Sequence, residues 1–222
     1  MNFNESETKI NLARAFAGEC QDGARYQFLS KQCLTEGYNF LSNTVKTLAK
    51  NEMAHAKTFF DLITNYSKQV VKNIDIQAGY PFKTGELIDT FKYTVEDEEM
   101  EAQTIYPNFS KIAKKEGFDE IAYIFDRVSQ TENCHYMLLK QIYEGLKSKK
   151  LYKSSTPIKW KCSNCGNEHT QKEAWKICDL CSMPQGYVEV PFEVGKNLKN
   201  KPNEHCTVKR TKNKKQLTVK NN

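Results

Sequence analysis

Two tetrapeptides of the form Glu-x-x-His, Glu52 to His55 and Glu132 to His135, place two of the chain's 4 histidines three residues after a glutamate. On a helix that spacing points both side chains the same way. A carboxylate and an imidazole so paired are half of a two-metal centre inside a four-helix bundle. Near the other end, Cys162-Ser163-Asn164-Cys165 and Cys178-Asp179-Leu180-Cys181 present four sulfurs in two knuckles. That is the pattern of a tetrahedral four-thiolate site. Oxygen and nitrogen ligands for a metal pair, and sulfur ligands for a single iron or zinc, are the chemistry these residues offer.

Positioning such ligands requires rods whose inner faces are apolar except where they meet the metal. Around the first Glu-x-x-His, Leu41, Val45, Leu48, Glu52, His55, Phe59, Leu62 and Tyr66 follow steps of three and four. Around the second, Ile121, Phe125, Val128, Glu132, His135, Leu139, Ile142 and Leu146 do the same, with Asp119 as the expected N-cap. Both ligand pairs therefore lie on core-facing stripes. A preceding helix carries Leu12, Ala15, Phe16, Glu19, Gly23 and Tyr26 on one face. A third carries Leu87, Phe91, Thr94, Glu98, Glu101, Ile105, Phe109 and Ile112. Within Glu96 to Glu101 charges point all round, and Glu98 with Glu101 is chosen for its phase with Phe91, Ile105 and Phe109. Asp97 with Glu101 is the other face open to that helix.

Glu19 precedes Glu52 by 33 residues and Glu98 precedes Glu132 by 34, which reads as two related helical hairpins. Gly37, Gly79-Tyr80-Pro81 and Gly117 punctuate the four helices. The long connection from about residue 67 to 83 joins the halves, as in a ferritin-like bundle. Five inward carboxylates, Glu19, Glu52, Glu98, Glu101 and Glu132, would each cost several kcal/mol if unpaired, against a total stability of roughly 5 to 15 kcal/mol. No comparable inward set of Lys or Arg offsets them. Two divalent cations would, and ligands rich in oxygen with one imidazole per metal suit iron or manganese.

These residues resemble the rubrerythrins, in which a diiron bundle is followed by a rubredoxin-like domain. Ala17-Gly18-Glu19 with Tyr26, Asn51 through Ala56, Glu98 and Glu101 leading into Ile105-Tyr106-Pro107 and Phe109, Glu116-Gly117-Phe118, and Glu132 with His135 carry the resemblance. It implies that Glu52 and Glu132 bridge two irons, that Glu19 and Glu98 each terminate one, and that His135 completes one iron. It further implies that the other iron shifts between His55 and Glu101 with oxidation state, with Tyr26 and Tyr106 as outer hydrogen-bond donors.

In the four-Cys segment, Trp160-Lys161-Cys162 and Pro184 through Tyr187 resemble rubredoxin, which argues for iron over zinc at Cys162, Cys165, Cys178 and Cys181. Asp179 stands where that family usually has proline, and Ser182 where rubredoxins have glycine. Trp160, Trp175, Tyr187 and Phe192 are expected to form the small core, with the metal supplying much of the folding energy.

The expected architecture is an all-α four-helix bundle over 1–147, a linker over 148–157, a small metal-bound β-rich rubredoxin-like domain over 158–192, and a basic tail over 193–222 read as disordered. The chain's formal net charge is +6, but residues 1–146 are net acidic and the remainder strongly basic. Cys20, Cys33 and Cys134 fall within helices and read as small core packing, while His205-Cys206 is at most an adventitious metal site. A polar start without an export signal, and no apolar run long enough to cross a bilayer, lead to the expectation of a cytoplasmic protein with no membrane partner.

The implied activity is reduction of hydrogen peroxide to water in oxidative-stress defence. Electrons would come from an NAD(P)H-dependent reductase or rubredoxin through the four-Cys iron, in a homodimer or higher homo-oligomer. The competing readings are ferritin-type iron oxidation and storage, and a zinc-ribbon module whose basic tail binds nucleic acid. The tail lacks interleaved aromatics, so nucleic acid is not expected as a partner.

Overall fold

The computed structural model describes residues 1–193, so readings that concern the tail, His205 and Cys206 included, lie outside the described residues. Helix α1 spans Glu7–Thr35 and opens on Ser6, whose hydroxyl accepts from the Lys9 amide at 3.1 Å. It turns through Gly37 into α2, Asn39–Ser67. Gly37 and Gly117 sit at φ +84° and +86°, and each lets the next residue's amide reach a carbonyl five residues back, Tyr38 to Cys33 and Phe118 to Ala113. Such left-handed helix exits are open to glycine without steric cost. After α2 the chain runs without regular structure to α3, Leu87–Met100, which confirms the long crossover. The third rod continues as a π turn, Glu101–Ile105, and α4, Tyr106–Glu116, before α5, Asp119–Lys147. Asp119 is the first residue of α5 rather than its N-cap, a position taken by Phe118 with no side-chain cap. Its charge still favours the helix start through the backbone dipole.

The π turn changes the expected phase of the third rod. Its buried residues are Leu87, Phe91, Val95, Glu98, Ala102, Tyr106, Ser110 and Ala113. Thr94, Glu101, Ile105, Phe109 and Ile112 are only half-buried. The Tyr106 amide donates to Glu101 O, five residues back, so one extra residue is fitted into a turn. Pro107 supplies a cause: it has no N–H for the turn before it, and its ring crowds that turn.

Two apolar clusters fill the bundle, one around Leu41, Val45, Phe91, Leu139 and Ile142, the other around Leu12, Phe59, Ile121 and Phe125. Along α2 the order is Leu48, Glu52, Phe59, and along α5 it is Val128, Glu132, His135, Leu139. The inward glutamates thus lie between two hydrophobic plugs. At roughly 1.5 to 3 kcal/mol per buried large side chain, those plugs stabilise a bundle whose middle is polar. Cys33 is fully buried, whereas Cys20 and Cys134 are half-buried.

The last described part is a three-stranded antiparallel sheet in the order β2-β1-β3, with β1 Lys153–Cys162, β2 Glu168–Glu173 and β3 Val188–Glu189. Strand β1 begins inside the stretch that composition reads as connection. The core here is Trp160, Ala174 and Val188, with Tyr152, Ile158 and Trp175 packed against them. Phe192 instead stacks on Phe40 of α2, centroids 6.3 Å apart, because the chain after β3 turns back to the bundle. There Gln141 exchanges two hydrogen bonds with the backbone of Glu193, at 2.8 and 2.9 Å. A Cβ on Gly186 would run into the Gly37 carbonyl oxygen, so the module seats backbone to backbone on the α1 to α2 turn.

Candidate metal centres

Each of the four rods contributes a glutamate to the middle of the bundle: Glu19 from α1, Glu52 from α2, Glu98 from α3 and Glu132 from α5, none more than 2% exposed. The histidines arrive one turn after Glu52 and Glu132. Ligand atoms of Glu19, Glu52, His55 and Glu132 all lie within 4.8 Å of one another, and so do those of Glu52, Glu98, Glu132 and His135. Glu52 and Glu132 belong to both groups, which therefore share two carboxylates as a bridged metal pair would.

Distances sharpen this. His55 Nδ1 is 2.9 Å from Glu132, 3.1 Å from Glu52 and 3.3 Å from Glu19. His135 Nδ1 is 2.7 Å from Glu132, 3.0 Å from Glu52 and 3.7 Å from Glu98. Yet Glu52 Oε1, both oxygens of Glu132 and His135 Nδ1 find no hydrogen-bond partner of acceptable geometry among the described residues. Buried polar atoms that close, but not aligned to bond one another, have lone pairs converging on common points, and such orphans are rare in folded proteins. Two divalent metals fit the donor set.

The terminal carboxylates are held from behind. The Tyr26 hydroxyl donates to Glu98 and the Tyr106 hydroxyl to Glu19, the outer arrangement that fixes ligand orientation. Asn51 reaches the Nε2 side of His135 at 3.3 Å, so the ring is anchored outside and turns Nδ1 inward.

Electrostatics describes a site that holds protons when it lacks cations. Burial drives the Glu19 and Glu98 carboxyls well above the ordinary range. Burial would do the same to Glu52, but His135 and His55 outweigh it and bring it down to about 2. His55, against its own desolvation, is raised to about 12 by Glu132, Glu19 and Glu52, and His135 is raised by Glu52, Glu132 and Glu98.

Glu101 joins neither group of ligand atoms. The π turn leaves it half-buried, where burial and the neighbouring charge of Asp22 push its carboxyl up. Asp22, buried on α1 and paired with Arg25, lines the same space, and burial lifts Asp22 to about 6 against the pull of Arg25. Six of the seven residues singled out in the bundle thus converge, with His55 in and Glu101 out. Asp22 falls one turn after Glu19 on the same face of α1.

The four cysteines of the module also converge, their sulfurs within 4.8 Å of one another. Cys162 to Cys181 and Cys165 to Cys178 are each 3.7 Å. With metal to sulfur bonds of about 2.3 Å, a tetrahedron has edges of about 3.8 Å, whereas a disulfide would be about 2.05 Å. Four thiolates about one ion fit. Backbone amides of Leu180 and Cys181 and the Asn167 side chain help, against desolvation, to lower Cys178 to about 6. Gly166, at φ +77°, and Ser182, at φ +60°, close the two knuckles in the left-handed region. Asp179 ties them together, reaching the Asn167 amide and His169 Nε2, the latter at 3.2 Å.

A four-helix bundle with two overlapping carboxylate and histidine half-sites, followed by a small four-thiolate module, defines a ferritin-like, rubredoxin-like metalloprotein. The family model described as Rubrerythrin matches residues 11–143. The chain is 33% identical over 186 residues to rubrerythrin of Clostridium perfringens, covering 83% of this chain and 94% of that one. It is 33% identical over 197 residues to a putative rubrerythrin of Methanocaldococcus jannaschii, covering 86% and 96%. Among solved structures, nigerythrin in a partially reduced state aligns with a TM-score of 0.54 at 22% identity over 86% of this chain and 94% of that chain, a likeness of fold. The chain belongs to the rubrerythrin family. No described helix is long and apolar enough to cross a membrane.

Proposed function

We propose that the protein is a non-haem diiron peroxidase that reduces hydrogen peroxide to water. Its electrons would enter through one iron held by Cys162, Cys165, Cys178 and Cys181 and come from an NAD(P)H-dependent reductase or rubredoxin. The observation that carries this reading is the pair of ligand groups sharing Glu52 and Glu132, in the same chain as a four-thiolate site. An iron-storing protein has no use for the second site.

In this reading Glu52 and Glu132 would be shared by the two irons, Glu19 and Glu98 would each hold one, His135 would complete one, and His55 and Glu101 would serve the other in its two oxidation states. The diferrous pair, when bound, supplies the two electrons that break the peroxide O–O bond. The chain's own residues do the rest. Tyr26 and Tyr106 keep the terminal carboxylates from rotating, and the hydrophobic plugs above and below exclude bulk water, which strengthens every electrostatic contact inside. Without metal, burial raises the carboxyls of Glu19, Glu98 and Glu101 above the ordinary range, which favours their protonated forms.

Along α2, the docking point of the module at Asn39 and the ligand Glu52 are thirteen residues apart, about 20 Å at 1.5 Å per residue. That separation supports a homo-oligomer in which another copy's module serves the bundle. The division of labour follows domains of 1–147 and 158–192.

The test is to mix anaerobically reduced, iron-loaded protein with hydrogen peroxide and follow the four-thiolate absorption. Rapid oxidation and sustained peroxide consumption with an electron donor are expected, and neither occurring would reject the reading. Glu101→Ala should retain both bundle irons in the reduced state yet slow turnover at least tenfold.

A further inference from the structure

Between α1, the crossover and the π turn lies a cavity of about 320 Å³. Ala15 and Gly18 of α1, Tyr80 of the crossover, and Met100, Ile105 and Phe109 of the third rod form its apolar walls. Glu101 and Tyr106 also line it, and Tyr106 donates to the candidate ligand Glu19. Whatever enters is one side chain from the carboxylate cluster. Hydrogen peroxide, about two waters in size, needs roughly 60 Å³. The cavity is several times larger and has the apolar lining of a site for an organic molecule.

Its charged groups decide what kind of molecule. Arg14 is committed to Glu7, to Asn11 at 2.8 Å and to the Gln77 carbonyl at 3.1 Å. Arg25 is committed to Asp22 and, at 2.9 Å, to the Pro81 carbonyl, with Asp97 at 4.0 Å. Asp22, Asp97 and Glu101 face the same space. An anionic substrate would meet three carboxyl groups and find both guanidinium groups already engaged.

We propose that this cavity admits a neutral, compact organic hydroperoxide, with its apolar body against Ile105, Met100 and Phe109 and its peroxide end toward Glu101. The proposal rests on the peroxidase reading and extends its substrate class. The O–O bond breaks, two electrons come from the same reduced metal pair and two protons from solvent, and the products are the alcohol and one water.

The experiment compares cumene hydroperoxide with hydrogen peroxide as oxidants of the reduced, iron-loaded full chain. It is paired with calorimetric titration of the unreactive product alcohol, 2-phenyl-2-propanol, into the same protein before reduction. Both oxidants should react, and the alcohol should saturate one site per chain. Met100→Trp and Ile105→Trp, which fill the cavity from two places, should lower the ratio of kcat/KM for cumene hydroperoxide to that for hydrogen peroxide at least tenfold and remove alcohol binding. Reaction with hydrogen peroxide alone, with no alcohol bound, overturns this inference and leaves the peroxidase reading standing. An unchanged ratio in both variants overturns it too. Should neither variant fold, the alcohol titration of the unaltered chain decides. Reaction with neither oxidant removes the peroxidase reading and this inference with it.

Discussion

The bundle and the four-cysteine module solve the same problem, gathering ligands about a metal, by opposite means. In the bundle, six converging side chains come from residues as far apart as Glu19 and His135, and each is aimed by the phase of a long rod anchored in apolar clusters on both sides. In the module the four sulfurs come from two tight turns, and the apolar core behind them is little more than Trp160, Ala174 and Val188. A ligand held by distant packing should tolerate loss of its metal, whereas one held by local turns should not.

Removing one shared ligand from each region tests that contrast most strongly. Glu132→Ala should empty both bundle positions, since that carboxylate belongs to both ligand groups, yet leave helical circular dichroism nearly unchanged. Cys178→Ser should abolish the four-thiolate absorption and unfold the module, seen as rapid proteolysis after about residue 150, while the bundle melts as before. Should Glu132→Ala unfold the helices, the plugs do not carry the bundle.

Acid sharpens the comparison further. Without metal, Glu19 and Glu98 hold protons above the ordinary carboxylate range and His55 up to about 12, so binding cations must expel protons. Affinity should rise with pH and fall about tenfold per unit of acidification for each proton released. Competition with a chelator between pH 5.5 and 7.5 measures it, and a flat profile would contradict the charge states derived for the cluster.

Gly186→Ala should act on the joint between the regions. The added methyl meets the Gly37 carbonyl, and overpacking of this kind costs about 1 to 3 kcal/mol. Hydrogen exchange at the module should quicken with both metal sites intact. The smallest effect is expected from Ser182→Gly, which relieves a side chain at φ +60° and should stabilise the module by about 1 kcal/mol in chemical unfolding.

How much of this was readable beforehand follows the same divide. The cysteine knuckles are local, so spacing alone revealed them. Glu52, His55, Glu132 and His135 lie on unbroken 3.6-residue stripes, and their convergence was equally plain. Glu101 falls on the inner stripe with Ile105 and Phe109 only where the helix runs uninterrupted. The π turn moved that stripe to Ala102, Tyr106 and Ser110, and Pro107 was its only local signal. Proximity in sequence points Phe192 to the module's core. Its stacking on Phe40 depends on where the chain lands after β3, which no periodicity encodes. Asp22 carries no motif of its own: its neighbours are Arg25 and, across the same space, Glu101, 79 residues away.

The seat of the module on the α1 to α2 turn has one more consequence. Where two glycines meet, neither partner offers a side chain whose rotation can absorb misalignment, so at that point the angle between bundle and sheet is constrained by main-chain shape. The direction in which the sulfur-bound ion is presented to a neighbouring molecule is thereby inherited in part from two residues that touch no metal at all.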